Sequence, residues 1–121
     1  MITIKYDIPV KTVSELNVSC HWAVRAKRKK QQRSVAYLCT MSALEHHYAH
    51  MSGFKHITIT LTRHGKGMLN AHDNLPSAFK ACVDGIAQVL SVKQDEDERL
   101  EWIYKQEKSK EYYVSVEVRI Q

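Results

Sequence analysis

Cysteine is scarce in this chain, and the three that occur, Cys20, Cys39 and Cys82, are odd in number, far apart and never in a Cys-x-x-Cys spacing. That pattern excludes a disulfide framework and a zinc knuckle as organising devices, and the thiols read as buried and reduced. A long charge-free apolar run is also missing, because residues 1–10 mix Lys5 and Asp7 into a short alternating segment and nothing later could span a bilayer. Neither a signal peptide nor a membrane segment is expected, and the chain reads as cytoplasmic. Internal repeats and low-complexity linkers are absent too. The 121 residues, 44% hydrophobic and 26% charged, therefore predict one globular domain over 1–121.

Glycine and proline are missing from His21 to His50, where Trp22, Ala26, Val35, Leu38, Met41, Ala43 and Leu44 recur at spacings that predict a long helix. Before it, Ile2, Ile4 and Tyr6 alternate with Thr3, Lys5 and Asp7 as a strand ended by Pro9. After the break at Ser52-Gly53, Ile57, Ile59 and Leu61 alternate with threonines as a second strand, and Arg63 to Gly67 reads as a flexible basic loop. Leu75, Ala78, Phe79, Cys82, Val83, Ile86, Val89 and Leu90 predict an amphipathic helix, with Pro76 in its first turn and Asp73 or Asn74 as its cap. Leu100, Trp102 and Tyr104, then Val114, Val116, Val118 and Ile120, predict two closing strands joined as a hairpin across Gln106 to Lys110. The order strand, helix, strand, helix, strand, strand implies an α+β domain whose mixed or antiparallel sheet packs on two helices.

Charge is segregated along the chain. The net charge is +5, and Arg25, Lys27, Arg28, Lys29, Lys30 and Arg33 place six cations in nine residues, whereas Asp95, Asp97 and their neighbours gather the acids later. Consecutive cations on a helix cannot all face one way, so part of the run serves solubility and part is available to neutralise DNA phosphates. Arg63 and Lys66 in the expected loop extend the same basic surface.

Ser77, Lys80 and Asp84 are three and four residues apart and share one stripe of the second helix, with Asp73 at its N-terminal end. Spacing alone does not separate a cap plus a surface ion pair from an edge that handles metal and phosphate. Magnesium takes one or two carboxylates from a given element, so Asp95 and Asp97 in the acidic turn are candidates for the other half of such a site. Phosphodiester hydrolysis needs that combination of clustered carboxylates and a nearby lysine. Two rival clusters are weaker. His46, His47 and His50 lack the glutamate of a His-Glu-x-x-His zinc site and read as surface histidines, and the Gly65-Lys66-Gly67 segment lacks the Gly-Lys-Ser/Thr ending of a nucleotide-binding loop.

The stretch Asp73-Asn74, Lys80, Asp84-Gly85-Ile86, followed by an acidic turn and closing strands, resembles the RusA-like family of Holliday junction resolvases of phages and prophages. Leu16-Asn17-Val18, His21-Trp22 and the basic run through Gln32-Arg33 are similar to its prophage members. The resemblance implies a homodimer in a bacterial or phage-infected cell. Its activity would be a magnesium-dependent or manganese-dependent endodeoxyribonuclease placing paired symmetric nicks across four-way DNA junctions. It also implies that Asp73 is a catalytic metal-binding carboxylate, Lys80 the lysine beside the scissile phosphate, and Asp95 or Asp97 the carboxylate of the turn. One departure stands out. Where the family has its first aspartate, this chain offers Asn70, whose amide oxygen can bind a cation but brings no negative charge. Weakened cleavage follows, or, as an alternative, a branched-DNA-binding protein that keeps the fold without catalysis.

Overall fold

Alternating Ile2, Ile4, Tyr6 and Ile8 form strand β1 (Ile2–Ile8), the first element of a computed structural model that describes residues 2–12, 22–47, 54–69, 74–90 and 97–121. Helix α1 (Trp22–Leu44), strand β2 (Ile57–Gly65), helix α2 (Asn74–Leu90), strand β3 (Leu100–Lys108) and strand β4 (Tyr113–Ile120) follow. The protein is an α+β fold in which a four-stranded mixed sheet, ordered β1-β4-β2-β3, carries two helices. β4 pairs antiparallel with both β1 and β2, whereas β2 and β3 run parallel in the register Ile57↔Leu100 to Gly65↔Lys108.

The closing strands are therefore not a hairpin, because β2 lies between them. Burial explains the order. Val114, Val116, Val118 and Ile120 of β4 are at most 3% exposed, so this strand takes an interior position, while Leu100, Trp102 and Tyr104 of β3 are only half-buried and suit an edge. Crossing the end of β2 spans two strand spacings, about 10 Å, which residues 109–112 cover easily. The Ser109 N–H anchors that crossing by donating to the Gly65 carbonyl at 2.8 Å. Gln106, Glu107 and Lys108, expected as part of the connecting run, belong to β3. Likewise Arg63, His64 and Gly65 are not loop but the last residues of β2, held in register with β3 on one side.

The helix side of the sheet presents Ile4, Ile8, Ile57, Ile59, Leu61 and the β4 valines to Leu75, Phe79, Cys82, Val83 and Ile86 of α2. Phe79 is fully buried and its ring lies 5.3 Å from that of Tyr104. On the opposite side, Thr60, Thr62, Lys5, Asp7, Ser115, Glu117 and Lys105 line a shallow polar groove of about 290 Å³.

α1 buries a single row, Gln32, Ala36, Thr40 and Leu44, one residue per turn. Its two polar members are satisfied: Gln32 donates to the Lys11 carbonyl at 2.9 Å, and Thr40 shares a 2.6 Å hydrogen bond with Tyr6. Burial pushes the Tyr6 hydroxyl well above the usual phenol range, so that bond is neutral. The two helices touch at Gly85. A Cβ there would meet the Arg33 carbonyl at 2.5 Å and Ala36 Cβ at 3.0 Å, so only glycine admits this approach. The helix stops at Leu44, and His50, the expected end, lies outside the described residues. A turn follows in which His47 N–H donates to the Leu44 carbonyl at 2.8 Å, since Glu45 and His46 have nothing apolar to bury. Cys82 is buried and its thiol is pushed up to about 12 by desolvation, while Cys39 is half-buried and also raised; both are free. Cys20 lies outside the described residues.

Candidate nucleic-acid interface

α1 and α2 run side by side in the same direction. Residues 26–33 lie against 80–84, and residues 33–38 against 85–88. Their contact brings two separate sequence signals together. Lys29, Lys30 and Arg33 of α1, with Ala26, face Lys80, Ala81 and Asp84 of α2 across a groove of about 310 Å³. Four cations and one carboxylate thus share one surface. Within it the expected pair forms, Lys80 Nζ lying 3.3 Å from Asp84 Oδ1, with both side chains open to solvent. A pair of this kind contributes only a few tenths of a kcal/mol to the fold. It places the ammonium on the same surface as the α1 cations.

The other expected phosphate-binding residues divide. Lys27 is exposed, as are Lys29, Lys30 and Arg33, whereas Arg25 and Arg28 are half-buried. Lys66 is exposed at the bend after β2. Arg63 is only 5% exposed, and its Nη1 donates to the Gly67 carbonyl at 2.6 Å. It is withheld from solvent. Parity explains this: Arg63 continues the inward series Ile57, Ile59, Leu61, so its guanidinium enters the helix side of the sheet.

Of the expected metal ligands, Asn70, Asp73 and Asp95 lie outside the described residues. Asp97 is described, and both its oxygens are engaged by Arg99: Oδ2 accepts from Nη2 at 2.7 Å, and Oδ1 from Nε and the backbone N–H, each at 3.0 Å. These hydrogen bonds hold the Asp97 carboxyl down at about 2. Among the described residues no group of three His, Cys, Asp or Glu side chains is arranged to hold a metal ion. Asp84 and Asp97 each face a cation, so they do not by themselves make a magnesium set.

β2 and β3 are parallel, so α2 must carry the chain from the Gly65 end of β2 back to the Ile57 end, about 25 Å for its 17 residues. Asp97 stands at the far end of that crossing, three residues before Leu100.

Two polar clusters go beyond what the sequence predicts. Gln106 binds both backbone groups of Leu69, Nε2 donating to its carbonyl at 2.8 Å and Oε1 accepting from its N–H at 2.9 Å. On the open side of the sheet, His64 stacks on Tyr113 at 4.1 Å, shares a 2.8 Å hydrogen bond with Ser115 and lies 3.6 Å from Glu107. Gln106 carries a readable signal, because it continues the inward series Leu100, Trp102, Tyr104. The His64 cluster joins three strands and carries none. Among the described residues no helix is long and apolar enough to cross a membrane. No protein-family model matches the chain, and no curated protein matches its sequence.

Proposed function

We propose that the protein is a magnesium-dependent, structure-selective DNA endonuclease that resolves four-way junctions by paired symmetric nicks, working as a homodimer. The observation that carries this reading is the groove in which Lys29, Lys30 and Arg33 of α1 meet Lys80 of α2, six residues downstream of the helix start beside Asp73. A row of exposed cations neutralises successive phosphates and releases their counterions, which gives affinity without sequence preference, as binding to a branched structure requires. Within that row Lys80 is the cation nearest the α2 N-terminus, with Asp84 3.3 Å from its ammonium. An ammonium beside a phosphate stabilises developing negative charge.

Asp73, Asn70 and Asp95 would hold magnesium, with Asp97 left to Arg99. When bound, the ion activates water and offsets charge on the phosphate. A homodimer allows a site completed by a second copy, the acidic turn of one protomer joining Asp73 of the other. Asn70 favours one alternative: a junction-binding protein that retains the basic groove and has lost cleavage through a missing negative charge.

Magnesium-dependent nicking of a synthetic four-way junction separates these readings. The expected result is weak cleavage by the native chain, stimulation by Asn70→Asp, and loss of about 100-fold or more in Asp73→Asn. Junction binding without nicking even after Asn70→Asp leaves the binder, and absence of binding removes both.

A further inference from the structure

Trp22 opens α1 with 74% of its surface exposed, more than any other large hydrophobic side chain among the described residues. A surface leucine or valine is ordinary, but a tryptophan is on average well covered. This one adds nothing to the core, since none of residues 22–31 is buried, and alanine would suit the helix better.

The phase of the helix gives that exposure a direction. Residues 22, 26, 29 and 33 are four, three and four apart, so they lie along one stripe of α1. Ala26, Lys29 and Arg33 of this stripe line the groove shared with Lys80 and Ala81 of α2. Trp22 therefore stands one turn beyond the groove, about 10 Å along the axis from Lys29. On the stripe only the Ala26 methyl comes between them.

A row of cations ending in an exposed flat ring suits single-stranded nucleic acid: the charges track the phosphates and the ring takes the face of a base. Ten ångströms is about three nucleotides at the spacing of one strand, so a strand whose phosphates lie on Lys29 and Arg33 brings a base within reach of the indole. A protein partner that covered the indole alone would make no use of Lys29, Arg33 and Lys80, whereas a polynucleotide uses ring and charges together. Bases inside a duplex are stacked on both faces, and an unpaired base has a face to offer.

We infer that Trp22 is a stacking platform for an unpaired nucleobase, extending the basic groove into a subsite for single-stranded segments at a DNA branch point. The inference rests on the DNA-binding reading for its ligand and on the exposure and phase of Trp22 for its place. The indole meets no phosphate, so it adds affinity without adding salt dependence. A fully paired linear duplex engages the cations and leaves the ring idle.

The chain has two tryptophans, so full-length Trp102→Phe protein makes fluorescence a report on Trp22 alone. Trp102 Nε1 is buried without a hydrogen-bond partner among the described residues, so phenylalanine there gives up no bond. Three DNAs are titrated: single-stranded oligothymidine, a four-way junction with unpaired thymines at its centre, and a fully paired linear duplex. The first two should quench Trp22 emission and the duplex should leave it nearly unchanged. Trp22→Ala should weaken the first two by about 5- to 100-fold, and Trp22→Phe should recover most of that loss. Duplex affinity should stay within about twofold, and the salt slopes and the urea midpoint should not move. Oligothymidine and junction binding with Trp22 emission and Trp22→Ala affinity both unchanged overturns the inference and leaves the basic groove standing. An equal loss on the linear duplex overturns it as well, because the ring then serves no unpaired base. So does emission that shifts with protein concentration in the absence of DNA, which puts a second copy over the ring. If Trp22→Ala does not fold, the quenching comparison among the three DNAs decides. If none of the three binds, the DNA-binding reading itself fails and the platform falls with it.

Discussion

α1 and α2 lie side by side over the same sheet, yet α2 buries ten of its 17 residues and α1 only four of its 23, two of them polar. None of residues 22–31 is buried, and this half of α1 carries five of the six clustered cations, Arg25, Lys27, Arg28, Lys29 and Lys30. Packing therefore fixes α2 along its length, whereas α1 is attached through its second half alone: a glutamine on the Lys11 carbonyl, a threonine on Tyr6, Ala36 against Gly85, and Leu44 in the core with Val35, Cys39 and Ala43 packed against it. A helix held so lightly leaves most of its surface for a partner, and the charge on that surface suits a polyanion.

Breaking the packing between the helices should have the largest effect on stability. Gly85→Ala gains about 1 kcal/mol of helix propensity but forces a methyl onto the Arg33 carbonyl, and the net expectation is a loss of about 1–3 kcal/mol in urea unfolding. Unchanged or increased stability would mean that the helices do not touch there. On the exposed half of α1 the effect should move from stability to binding. Replacing Lys27, Lys29 and Lys30 by alanine should alter unfolding by no more than about 0.5 kcal/mol while flattening the salt dependence of junction affinity by roughly 0.9 for each phosphate that is no longer neutralised. An unchanged slope would take these lysines out of the interface.

The smallest effect lies at the far end of α2. Asp97 should titrate at about 2 by NMR in native protein and return towards 3.8 in Arg99→Ala. Because its folded value is depressed, the stability it contributes is present above pH 3.8 and lost as pH falls through 2. Native protein and variant should therefore diverge above that window and converge below it. Equal titration in both would dissolve the ion pair and free Asp97 as a metal ligand.

The same contrast explains what is legible in the sequence. α2 announces itself through eight apolar positions in helical phase, and its polar stripe gives the Lys80–Asp84 pair because four residues make about one turn. Strand parity locates β1, β2 and β4. Carried two residues further, parity also turns Arg63 and Gln106 inward, although their polarity makes both look like loop or linker. The order β1-β4-β2-β3 is not local information, since pairing depends on which strand buries most once all are present. Nor is the groove, because the face of α1 that meets Lys80 is set by Gly85 against Ala36, two residues far apart in the chain.

The central claim is a cleavage site shared between two copies on a basic helix pair. Its most direct test mixes two inactive proteins, Asp73→Asn and Asp95→Asn, each made in the Asn70→Asp background, and measures nicking of a four-way junction. If one copy supplies Asp73 and the other Asp95, mixed dimers regain one intact site each, and free exchange restores roughly a quarter of the active sites. Recovery near that level is the predicted result. A mixture as silent as its components, with the Asn70→Asp protein active and subunits shown to exchange, would contradict it.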